Sequence, residues 1–165
     1  MSASVVAFLL HMEETPPVGA IEPAQDERTM AILAHVLQVV GWWIAPLIIL
    51  LVKRESRFVS FHALQAFLLQ IVYMIVVGLF MVVWFCTFFL TMAHHGGGSN
   101  AAPPPAFFVL FPVVWLGFMG MWIAMLTVAI VYGIKAGRGE WAEYPLLGSL
   151  SRKILKIGPG GAIAI

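Results

Sequence analysis

The sequence predicts an all-α, polytopic membrane protein with three transmembrane helices and a short amphipathic interfacial helix near its carboxyl terminus. Residues 58–92 contain no Asp, Glu, Lys or Arg, a run well beyond the roughly 20 apolar residues that cross a bilayer. The chain is 61% hydrophobic and only 10% charged, whereas roughly a quarter of the residues of a soluble domain are charged. Its few basic residues also gather between the apolar stretches and not within them. Three parts follow: an amino-terminal segment 1–27, flexible or lying on the surface; a three-span domain 28–134; and a cytoplasmic interfacial tail 135–165.

In the first part Pro16, Pro17 and Pro23 oppose a continuous helix. Asp26 or Glu27 then suits the positive end of a helix dipole, and the first span is expected over about 30–52. Pro46 lies inside it and is expected to kink it. The short basic connection 53–57 makes the first two spans antiparallel neighbours. A second span over about 60–92 is roughly 50 Å long at 1.5 Å per residue, so part of it protrudes or lies in the interface. At about 100° per residue, His62, Gln65, Gln70 and Tyr73 share one face, and Thr87 and Thr91 return to it further along. That face is expected to turn toward other helices, because an unpaired polar group in hydrocarbon costs several kcal/mol.

Three glycines and three prolines make the stretch near residues 96–105 a loop. The third span is expected over about 107–134, where Gly117, Gly120, Ala124 and Thr127 form a small-residue stripe that lets another helix approach. In the tail, Leu146, Leu147, Leu150, Ile154 and Leu155 alternate with Arg152, Lys153 and Lys156. That pattern suits a helix in the headgroup region.

Orientation follows from the basic residues. The connection holds Lys53, Arg54 and Arg57, and the tail holds Lys135, Arg138, Arg152, Lys153 and Lys156. The amino-terminal segment holds only Arg28, and the Gly/Pro loop holds none. With three spans, the positive-inside rule puts the amino terminus outside and the carboxyl terminus in the cytoplasm of a bacterial inner membrane. Lys53, Arg54, Arg57, Arg152, Lys153 and Lys156 are then the candidate headgroup contacts.

Five histidines raise the question of a metal or cofactor. In three antiparallel spans His35 and His62 lie roughly 25 Å apart along the membrane normal and cannot share one metal. His35 with His94 and His95 meets at the outer surface instead. His35 and His62 are each candidates for an axial ligand to a haem or a pigment, which needs one free ring nitrogen. Gln38, Gln65, Gln70, Tyr73, Gly117, Gly120 and Ala124 are the candidate helix-packing or partner-facing positions. The single cysteine, Cys86, excludes an internal disulfide. No nucleotide-binding glycine pattern, HExxH or Ser/His/Asp arrangement is present, and no acidic residue lies inside a span.

ERTMAILAHVL, KRESRFVSFHALQAFLLQ and GRGEWAEYPLLG together resemble a family of small bacterial membrane proteins of unassigned function. That family is similar to the twenty-kilodalton component of the chloroplast inner-envelope import translocon. The resemblance covers about residues 27–147 and singles out Arg28, His35, Phe61, His62, Gln65, Tyr144 and Pro145. It implies a helical bundle and a translocation or channel-like role. The residues themselves favour a non-enzymatic accessory or scaffold subunit of a larger membrane complex, with membrane lipid and other integral subunits as partners and no nucleic acid. The third reading is a pigment- or haem-carrying subunit. No cofactor is required by the sequence, and bound lipid is expected.

Overall fold

The structure, a computed structural model, describes residues 22–95 and 105–158, and it is all-helical there. Most of the expected segment 1–27, with His11, lies outside the described residues, as does the centre of the Gly/Pro loop. Five helices occur among the described residues. They are α1 Gln25–Gly41, α2 Ile44–Val52, α3 Arg57–His95, α4 Pro105–Gly137 and α5 Leu147–Leu155.

The span expected over 30–52 is not one helix. The chain breaks at Trp42, whose φ of 52° is left-handed, and α2 folds back. Gly41 permits the turn: a Cβ there would stand 2.6 Å from the Ala45 Cβ, closer than side-chain atoms approach. Pro46 is not the cause of the break. It occupies the first turn of α2, where its missing N–H has no intrahelical partner to lose. The hairpin brings its two ends together, with Asp26 Oδ2 3.7 Å from Lys53 Nζ. In a continuous helix these residues would lie roughly 40 Å apart at 1.5 Å per residue.

Glu27 and Asp26 stabilise the start of α1, where Glu27 Oε2 accepts the Ala24 N–H at 2.9 Å. The outer face of the hairpin (Val36, Val40, Trp42, Ile44, Ile48 and Leu51) is apolar and exposed. Its inner face packs α1 between α3 and the carboxyl-terminal part of α4. Small residues of α4 make the fit: Ala129, Gly133 and Ala136 are buried, and a Cβ on Gly133 would meet the His35 Cβ at 3.7 Å.

Two helices are long and apolar enough to cross a membrane, Arg57–His94 and Phe108–Gly137. Beyond the hairpin they touch mainly through large rings, with Phe80 and Phe118 at 5.1 Å and Trp84 and Phe111 at 6.5 Å. Most of their outward side chains are exposed apolar residues. Thr87 and Thr127 are exposed and Thr91 is half-buried, but none is unsatisfied. Each hydroxyl donates to the carbonyl four residues earlier, at 2.8, 2.6 and 2.9 Å respectively. The polar face of α3 therefore ends with its first turns. All nine Lys and Arg residues lie at one end of the helix pair, beside the start of α3 or after the last turns of α4.

Candidate functional site

The buried polar residues collect at that basic end. His35 on α1, His62 and Gln65 on α3, and Tyr144 in the segment between α4 and α5 are all buried. His35 Nε2 lies 3.0 Å from His62 Nδ1, so the expected separation of roughly 25 Å is corrected to direct contact. The reason is the hairpin: α1 enters from the same side as α3 and runs alongside it, which brings residue 35 level with residue 62. His94, exposed at the far end of α3, is roughly 48 Å of helix away from His62 and does not meet His35. The His95 side chain is outside the described residues.

The proton positions in this cluster follow from chemistry. His62 Nε2 lies 3.1 Å from the Glu140 carbonyl oxygen, which can only accept, so Nε2 carries a proton. A charged imidazole buried without a carboxylate is costly, so His62 is neutral and its Nδ1 accepts from His35 Nε2–H. His35 Nδ1 is then an acceptor, and the Tyr144 hydroxyl donates to it at 2.7 Å. The chain Tyr144→His35→His62→Glu140 runs in one direction, and all four ring nitrogens are used. An axial-ligand role for His35 or His62 would have to displace one of these partners. Among the described residues no group of three His, Cys, Asp or Glu side chains is arranged to hold a metal.

Gln65 fastens the same segment a second time. Its Nε2 donates to the Ala142 carbonyl at 3.2 Å and its Oε1 accepts the Tyr144 N–H at 2.6 Å. One amide thus pairs with the backbone as a neighbouring strand would. Tyr132 on α4 donates to the Glu143 carbonyl at 2.9 Å, and Trp141 packs against Phe58 and Phe61 at ring distances of 5.2 and 5.5 Å. Arg28 Nε donates to the Pro23 carbonyl at 2.9 Å, and its guanidinium, paired with Glu22, lies beside Gly139. The result is a knot that joins α1, α3, α4 and residues 138–146. Burial pushes the pKa of the Tyr144 hydroxyl well above its ordinary value.

The other candidate positions divide. Gln38 and Gln70 are buried; neither Gln38 amide atom has a hydrogen-bond partner among the described residues, and the Gln70 Oε1 has none there either. Tyr73 is half-buried. Gly117, Gly120 and Ala124 are exposed, and a Cβ added to either glycine meets nothing within 4 Å. The close helix approach occurs a few turns later, at Gly133 and Gly137. Of the basic residues, Arg54, Arg57, Lys153 and Lys156 are exposed and Lys53 pairs with Asp26. Arg152 turns inward: its Nε donates to Glu143 Oε1 and its Nη1 to the Gly158 carbonyl, each at 2.5 Å, and it lies 5.0 Å from the Phe61 ring centre.

Glu140, Ala142, Tyr132 and Trp141 are structural members of the knot that sequence reasoning did not single out. Two of them contribute through backbone carbonyls, which leave no mark on residue type. Six of the seven positions carried by the resemblance converge: His35, His62, Gln65 and Tyr144 form the knot, Phe61 packs on His62, and Arg28 reaches Gly139, whereas Pro145 is exposed.

No curated protein matches the chain, and no solved structure matches it. The likeness to the chloroplast translocon component is not supported by any comparison. One family model does match, over residues 26–151, from the first turn of α1 to the middle of α5, and so includes the hairpin, both long helices and the whole knot. The chain therefore belongs to the magnetosome magnetite crystal formation protein family.

Proposed function

We propose that this chain is a non-enzymatic accessory or scaffold protein of a bacterial membrane, acting in the formation of magnetite crystals. The observation that carries the reading is the family match over residues 26–151. The structure adds the physical form: two helices long and apolar enough to cross a membrane, and buried polar groups spent on holding the chain together. Two crossings, with α1 and α2 as a hairpin entering from one side, put all nine Lys and Arg residues at one membrane face. By the positive-inside rule that face is cytoplasmic and holds both residue 22 and residue 158. This replaces the expected arrangement of three spans with the amino terminus outside.

The test is genetic replacement in a magnetite-forming bacterium that encodes this chain. Loss of the chain is expected to change crystal size or shape in electron micrographs, and the wild-type chain is expected to restore it. Normal crystals in the deletion strain, with the chain absent by immunoblot, would refute the role.

A further inference from the structure

The helix α5 has its faces in an unusual arrangement. The side packed on α3 is made of small residues, with Gly148 and Ser151 buried. Its larger apolar residues point the other way: Leu146 is 88%, Leu150 42% and Ile154 53% exposed. Spaced four apart, these three form one stripe about 80° wide at roughly 100° per residue. Lys153 and Lys156, both exposed, flank one edge of that stripe. Arg152 is withdrawn into its contacts with Glu143 and Gly158, so it is not part of this surface.

Leu146 adds an independent sign. It sits at the amino-terminal cap of α5 with φ 66°, a conformation that is unfavourable for a side chain larger than glycine. A leucine held in a strained backbone and almost wholly uncovered is doubly unfavourable in water. The exposure becomes reasonable if the side chain enters a hydrocarbon layer. Such a layer is close by, because only residues 138–146 separate α5 from the end of α4.

From these features we infer that α5 is a lipid-surface anchor. Leu146, Leu150 and Ile154 enter the acyl boundary of the bilayer, and Lys153 and Lys156 contact anionic headgroups. The inference rests on α3 and α4 crossing a bilayer, and it assigns a binding surface that the crossings alone do not require. Arg152, with Gly148 and Ser151, has the different task of fixing the helix to α3 so that the stripe faces outward.

The test uses the full chain carrying Cys86→Ser, reconstituted in vesicles of phosphatidylcholine with or without phosphatidylglycerol. An environment-sensitive fluorophore is attached at Leu150→Cys, or at Val82→Cys as a reference within α3. Quenching by acyl-chain-brominated lipid is expected at both positions. In phosphatidylglycerol vesicles, Lys153→Gln with Lys156→Gln is expected to shift the docked equilibrium of α5 by about fivefold for each lysine, with no such shift in pure phosphatidylcholine. Quenching at position 82 but free access of aqueous iodide at position 150 would overturn the anchor while leaving the crossings in place. A label at 150 shielded from both quenchers would also overturn it, and would identify a protein contact. Quenching indifferent to lipid charge and to both lysines would refute the headgroup assignment. Absence of quenching at position 82 would overturn the crossings themselves.

Discussion

Replacing Gln65 by leucine removes the amide that ties residues 142 and 144 to α3, at nearly constant volume. Its two hydrogen bonds, to the Ala142 carbonyl and from the Tyr144 N–H, disappear together. The Tyr144 N–H is buried and left without a partner, which costs about 1–3 kcal/mol. The Ala142 carbonyl is only half-buried, so water restores part of its loss, and the total expected is about 2–4 kcal/mol. Gln70→Leu is the matched control. Gln70 lies about a turn and a half deeper on the same helix, and its Oε1 has no partner among the described residues, so the same chemical change there is expected to be neutral or stabilising. Reversible unfolding in mixed detergent micelles, followed by the fluorescence of Trp141 and the other indoles, measures both. Gln65→Leu as stable as the wild type, or Gln70→Leu equally damaging, would refute the idea that residue 65 is a clamp and residue 70 is not.

Two further outcomes follow from the same region. Gly148→Ala is expected to destabilise the docking of α5 by about 1–3 kcal/mol, because its Cβ would stand 2.9 Å from the Glu143 Cα; faster amide hydrogen exchange in 147–155 reports it. The Tyr144 pKa is raised by burial, so the folded chain keeps a proton that the unfolded chain loses near pH 10. Its contribution is complete below that pH and is lost as pH rises further. Tyr144→Phe is therefore expected to flatten the alkaline fall in stability, and an unchanged fall would contradict the assignment.

The long helices were legible because their signal is local. An uncharged apolar run of that length reads as a long helix, and α3 and α4 extend the expected 60–92 and 107–134 by a few residues at each end. The polar residues at the start of α3 were legible too, as groups that could not face hydrocarbon. The hairpin was not, for a physical reason. Residues 30–52 are apolar enough to span, and hydropathy does not distinguish one helix of 23 residues from two shorter ones that return to the same side. The decisive residues were Gly41 and Trp42, where the chain turns, whereas Pro46 drew attention and proved to sit in a first turn. Reading 30–52 as one continuous span separates His35 from His62 and hides the knot. Gly117 and Gly120 misled in the opposite way, since a small-residue stripe permits a close approach without requiring one. Gly133 and Gly137, which do meet α1, could be recognised only once α1 was known to lie beside them.

The hairpin is thus the claim on which the knot and the shared membrane side both depend. It is tested by the distance between spin labels at Asp26→Cys and Lys53→Cys in the full chain carrying Cys86→Ser, reconstituted in lipid and measured by double electron–electron resonance. Side chains that stand 3.7 Å apart in the folded chain give a short distance limited by the label linkers. A single distribution centred near 40 Å, the length of 27 residues of continuous helix at about 1.5 Å each, would contradict it.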